Sequence, residues 1–196
     1  MAEHRIVITK LDAARRQLDT AIELFFANGD FVSIHALAYA AYTLTRNLCD
    51  KTNNPASFTR WVKETIVPEQ HEKLFAALST AGNFFKHADR DPKRQLEYIP
   101  KQYDFLMILA VWMYEAITHE LTTPMSVFKI WYFLHNPGWC ADKALRPTLP
   151  AAKGNFPSGR GEFYDFVSKG LRIAQQKIIE QGVAPYSAQG ALSGER

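Results

Sequence analysis

Cysteine is nearly missing. Cys49 and Cys140 are the only two in 196 residues, they form no CxxC pair, and so a disulfide framework is excluded and each reads as a small buried hydrophobe. Long apolar runs are missing too. The longest, Phe105 to Tyr114, is ten residues, about half of the ~20 that cross a bilayer, so it reads as a buried core helix and no membrane partner is expected. The opening MAEHRIVITK lacks the cationic, apolar and small-residue blocks of a secretory signal, which points to a cytoplasmic setting. Also absent are GxSxG, HExxH, paired ExxH motifs and a glycine-rich loop following a strand. Their absence removes the usual signatures of nucleophilic hydrolysis, zinc or di-iron chemistry and phosphate-loop binding, so no metal and no cofactor are expected.

An excess of one charge is also scarce. The net charge is +3, and residues 1–141 hold 15 Lys and Arg against 15 Asp and Glu, while residues 142–180 hold 7 against 4. That small C-terminal surplus fits a solvated face better than a nucleic-acid surface, which is far more strongly cationic. What the chain does have is apolar material: 47% hydrophobic and 13% aromatic residues, enough for a substantial core in one domain.

The apolar spacing up to residue 121 follows a period near 3.6, with no sustained period of two. Leu11, Ala14, Leu18, Ile22 and Phe25 mark a first helix, opened by a Thr9/Asp12 capping box and stopped by Asn28-Gly29. Asp30 caps a second helix to about Cys49, and Ser57 opens a short one ending before Pro68. Pro68 starts a third long helix predicted to reach about Asp89, and Pro100 a fourth to Leu121 that is apolar all round at its centre. The expected fold is all-α, an up-and-down bundle of four long helices with additional short and C-terminal helices. Its core bundle spans about 6–121. A wrap and helix span about 124–181, where six of ten prolines and most glycines lie at or beyond Pro124. Short helices are expected at 126–135 and 163–181, with an irregular stretch between them pinned by Trp139, Leu145, Leu149 and Phe156. Residues 182–196 read as a flexible tail, leaving 1–181 as a single helical domain.

Two constellations could carry chemistry. On the second helix, His35, Tyr39, Tyr42 and Arg46 recur at spacings of four, three and four, a file of hydrogen-bonding groups beside the aliphatic stripe. It reads either as the lining of a polar intra-bundle pocket or as a wide buried face whose polar tips find partners at the rim. At the end of the third helix, Asn83 and His87 share one face, and Lys86 and Arg90 another beside it. An amide, an imidazole and two cations suit an anion or phosphate, with His87 able to move a proton near neutral pH. The competing explanation is local: cations complement the helix C-terminus, and Asp89 and Asp91 pair with them.

Residues 11–22 (LDAARRQLDTAI), 33–37 (SIHAL) and 83–92 (NFFKHADRDP) resemble stretches of a group of small uncharacterised bacterial helical proteins. More remotely, a helical bundle with an Asn, His and Lys cluster on an inner helix resembles the HEPN superfamily, which includes toxin and defence ribonucleases, nucleotide-linked modules and non-catalytic relatives, often dimeric. The resemblance implies a helical fold, a homodimer, and RNA or a nucleotide as partner, with Lys86 and Arg90 holding phosphate and His87 orienting or transferring a proton. HEPN ribonucleases carry Arg, then four to six residues, then His. None of the six histidines here has an arginine at that distance upstream, so the resemblance implies the fold more than the ribonuclease activity.

The expected function is a helical-bundle binding or interaction module of bacterial type engaging RNA, a nucleotide or a partner protein, with Trp131, Tyr132 and Trp139 as contact anchors. The alternative is a small-molecule or RNA-processing enzyme. Its polar intra-bundle site would centre on His35 and His87 as catalytic groups, with Tyr39, Tyr42, Arg46, Asn83, Lys86 and Arg90 binding the ligand.

Overall fold

A computed structural model describes residues 5–87, 89 and 91–180. Among these the chain is all-helical, with no strand: α1 (Lys10–Phe26), α2 (Phe31–Lys51), α3 (Phe58–Thr65), α4 (Pro68–Phe84), α5 (Gln102–Thr118), α6 (Thr123–His135), α7 (Leu149–Lys153) and α8 (Arg160–Glu180), plus 3-10 turns at Pro137–Trp139 and Arg146–Thr148. The expected tail at 182–196 lies outside the described residues, as does Arg90.

Side-chain and backbone chemistry at the ends sets the first two helices. Thr9 and Asp12 form the full capping box of α1. At its other end Asn28 takes a left-handed φ of 53°, Gly29 N–H donates to Leu24 O at 2.8 Å, and Asn28 N–H donates to Phe25 O at 3.3 Å. That pair of bonds satisfies carbonyls that a helix end would otherwise leave open. Asp30 then accepts from Ser33 N–H at 2.8 Å and starts α2 at once, so α1 and α2 pack along each other as neighbours joined by a tight turn. Asn53 repeats the device at the end of α2, with φ 50° and Asn54 N–H reaching Cys49 O at 2.9 Å. The Asn54 amide also donates to Ala116 O at 3.1 Å, tying this corner to the end of α5.

The core lies where α1, α2, α5 and α6 meet. Helix α5 is buried on nearly all sides, from Leu106 through Val111 without a break, as its continuous apolar stretch requires. Phe25 stands at the centre, its ring in edge contact with Phe26, Tyr103, Phe128 and Trp131. The Arg160 guanidinium of α8 covers it at 4.0 Å, which closes the core from the C-terminal side. Polar ties fix the remaining angles: Thr122 donates to Asp19 at 2.5 Å, and Lys129 of α6 pairs with Glu115 of α5 at 2.5 Å.

Helix α4 is different. Only Ala81 and Gly82 of its 17 residues are buried, and it leans on α2 and α3. It also stops at Phe84, short of the expected Asp89, because the chain turns at Phe85 and puts that ring against His35 and Tyr98. Lys86 and His87 therefore lie in the turn past the helix and not on its faces. The stretch expected to be an irregular wrap contains α7 and both 3-10 turns. Leu149 and Phe156 pack there as expected, and Trp139, though about half exposed, rests on Phe105 and Trp112 of α5, while Leu145 is about half exposed. Trp131 and Tyr132, expected as contact anchors, are core residues, because α6 enters the core on the face that carries them.

Candidate functional site: two hollows flanking helix α5

The α2 file of His35, Tyr39, Tyr42 and Arg46 is a seam against α4. Gly82 makes it possible. A Cβ there would stand 2.2 Å from the Tyr39 ring, so the aromatic ring lies directly on the α4 backbone at the one position that has no side chain. Lys86 lies over the same ring, its ammonium 4.6 Å from the centroid, and the Tyr39 hydroxyl donates to Asn83 Oδ1 at 3.4 Å. Further along, the Arg46 guanidinium lies over both Tyr42 and Phe75, at 5.4 and 5.9 Å. Burial pushes the Tyr42 hydroxyl pKa up, with Arg46 drawing it back. Tyr39, Arg46, Asn83 and Lys86 are thus brought together in holding α4 and the turn after it to α2, while the Tyr42 ring packs on Tyr39 and on Phe58 of α3 and its buried hydroxyl has no hydrogen-bond partner.

His35 is the buried end of that seam, 1% exposed. Its Nδ1 lies 2.9 Å from the Tyr98 hydroxyl, and the Phe85 and Tyr98 rings meet it edge-on. Tyr98 comes from the segment between α4 and α5, and its ring also stacks on Phe31. Burial, together with the nearby Tyr103 and Asp104, holds the Tyr98 hydroxyl well above the usual phenol range, so it stays protonated and can donate. Burial first, then the Lys86 ammonium, lowers the His35 pKa to about 4, and the imidazole is neutral at pH 7. Its Nε2 has no hydrogen-bond partner. The ring also lines a hollow of about 140 Å3 with Ala77, Leu78, Gln102, Phe105 and Leu106.

His87 sits elsewhere. It borders a surface groove of about 240 Å3 with Asn83, Phe84, Asp91 and Arg94, and its Nδ1 is 3.8 Å from Asp89. No residue lines both this groove and the His35 hollow. The two histidines do not face a common space.

The spacing rules did not single out a third hollow. Trp61 of α3, Trp112 of α5 and Trp139 of the first 3-10 turn line a recess of about 430 Å3, with Phe58, Leu109 and Met113 behind them. Trp61 stacks on Phe58 at 5.6 Å, and Trp139 rests on Phe105 and Trp112 at 5.4 and 6.5 Å. Trp61 is 43% and Trp139 47% exposed. Ser57 belongs both to this recess and to a polar one of about 400 Å3 beside it, which includes Asp50, Asn53, Thr59, Arg60 and Glu64. There Asp50 accepts from the Ser57 and Thr59 hydroxyls, and Arg60 pairs with Glu64 at 2.7 Å. Residues 61, 112 and 139 are far apart in sequence, so only the separate prominence of each tryptophan could have flagged them.

Asp104 was also missed. Burial raises its carboxyl pKa to about 6 against the pull of Arg160 and Lys101, and its Oδ1 has no partner. The sequence signal was a lone acid one residue before an apolar run. Among the described residues no three His, Cys, Asp or Glu side chains are placed to hold a metal ion, and no helix is long and apolar enough to cross a membrane. No protein-family model matches the chain, and neither a curated protein nor a solved structure does.

Proposed function

We propose that the protein is a non-catalytic helical binding module, HEPN-like in an up-and-down arrangement of its long helices, that engages a partner protein through the tryptophan recess. One observation carries the reading: three of the four tryptophans converge from separate elements on one recess, and two of them keep over two fifths of their surface in water. Large aromatic side chains are rarely left exposed together on a monomer, and tryptophans in a pocket dominate the energetics of protein interfaces. A protein is favoured over RNA because the rim is balanced. Arg60 is paired with Glu64, and Asp50 lines the same polar recess, whereas nucleic-acid binding draws its affinity from surplus cations. Catalysis finds less support, since His35 is neutral and enclosed while His87 lies in a different groove.

The test is affinity capture from bacterial lysate with the wild-type chain and with the double variant Trp61→Ala/Trp139→Ala. Wild type retains a protein that the double variant loses. If the partner is a second copy of the chain, the wild-type mass in sedimentation rises with concentration and that of the variant does not. Identical capture by both proteins, or recovery of RNA in place of protein, refutes the reading.

A further inference from the structure

Helix α8 carries apolar side chains on the side turned away from the bundle. Its inner residues Phe163, Val167 and Ser168 are buried, whereas Phe166 and Ile173, seven positions apart and so on one face, are 55% and 46% exposed. The Phe156 ring meets Phe166 edge-on at 6.0 Å and still leaves it open. Residues 172–178 are all exposed, although a helix draws most of its stability from packing an apolar face. Gly170 stands between the two exposed side chains. Glycine is the weakest helix former after proline, and a Cβ there would meet nothing within 4 Å among the described residues, so packing inside the chain does not explain it. Charge completes the face. Glu162 lies four positions before Phe166 and Lys177 four after Ile173, both exposed and on the same stripe. The acid–base pair and the apolar pair share one midpoint, between Lys169 and Gly170. A face in this order is complementary to itself when a second helix crosses it in the opposite direction, because a two-fold axis at the midpoint exchanges the members of each pair.

We propose that α8 is the contact of a reversible homodimer in which two copies pack antiparallel about a two-fold axis beside Gly170. Phe166 of each copy then meets Ile173 of the other, Glu162 meets Lys177, and Asp165 comes near Arg172 on the flank. The missing side chain at Gly170 lets the two helices close on the axis. Lys169 stands there too in both copies, and its long stem carries the charge out to water. A second copy is favoured over an unrelated partner because the charges along the stripe match their own reverse order. One helix face is smaller than the roughly 1,200–2,000 Å2 of a standard interface, so the dimer is weak and depends on concentration. The contact is separate from the tryptophan recess, none of whose lining residues belongs to α8.

The test is sedimentation equilibrium of the whole chain up to about 1 mM, where even a weak complex forms. The wild-type mass rises from one chain towards two. Ile173→Glu, at an exposed position, stays at one chain. Glu162→Lys and Lys177→Glu each weaken association about tenfold, since the two-fold repeats every like-charge contact. An equimolar mixture of these two variants restores it, because each copy then supplies the charge that the other lacks. Trp61→Ala/Trp139→Ala associates like wild type, which keeps this outcome apart from any failure of the recess. The proposal is overturned if wild type remains a single chain at that concentration, if Ile173→Glu associates as wild type does, if the mixture stays as weak as its parts, or if Trp61→Ala/Trp139→Ala abolishes association.

Discussion

Helix α5 carries a hollow beside each of its halves, and the two are opposites. Beside Gln102, Phe105 and Leu106 lies the small one, which the His35 ring also lines. Beside Leu109, Trp112 and Met113 lies one three times as large, faced with indole rings that reach into water. Phe105 is the wall between them, lining the first and touching Trp139 of the second. The difference teaches that polarity in the sequence and availability in the fold are separate properties. On α2, Tyr39 and Arg46 are engaged with α4, and the side chains that face the wide recess are mainly apolar. Size separates them too, at about 140 Å3 for the small hollow and about 430 Å3 for the wide one.

Acid should separate the hollows most strongly. The unfolded His35 takes a proton near pH 6.5, while the folded one stays neutral to about 4, so its share of stability is fully present above about 6.5 and is lost as pH falls towards 4. The loss reaches up to about 3 kcal/mol. Asp104 works the other way, since its folded pKa of about 6 lies above 3.8 and stability from it rises as pH falls through that window. Wild type is therefore compared with His35→Phe in urea unfolding at pH 7 and pH 4.5. The variant should lose less on acidification, and equal losses would mean that His35 titrates normally.

Replacing Gly82 by alanine is the next largest disturbance. The new methyl would have to displace the Tyr39 ring, and overpacking of this kind destabilises by about 1–3 kcal/mol. The damage should be local: hydrogen exchange quickens along α4 and around Tyr98, while α5 beside the tryptophan recess keeps its protection. Matching acceleration in both places would show that the two hollows are one cooperative unit.

Much of this architecture was legible because it is local. Thr9 and Asp12, Asn28-Gly29, Asp30 and Ser57 stop or start helices by bonds to residues within about five positions, and Pro68 starts α4 at its first position without a side-chain cap bond. The end of α4 was not legible. Apolar spacing continues through Phe84 and Phe85, and what turns the chain there is Tyr98, more than ten residues on, joined to His35 and Phe85 only in three dimensions. His35 itself was visible as a polar residue on a core-facing helix, but its neutrality depends on burial and on Lys86. Trp61, Trp112 and Trp139 meet through tertiary packing alone, beyond the reach of any helical or strand period.

The smallest effect on stability comes from the wide recess. Trp61→Ala/Trp139→Ala removes rings that are nearly half in water, and it should change the free energy of unfolding by no more than about 1 kcal/mol while abolishing partner capture. A large drop in stability would make those rings structural and weaken the contrast with the seam.

The contrast rests on His35 being neutral and held in one tautomer, and imidazole nitrogen NMR across a pH titration measures that directly. The His35 signals should show Nδ1 accepting and Nε2 protonated from pH 8 down, with no midpoint before about 4. A His35 midpoint near 6.5, with both nitrogens averaging, would contradict the account.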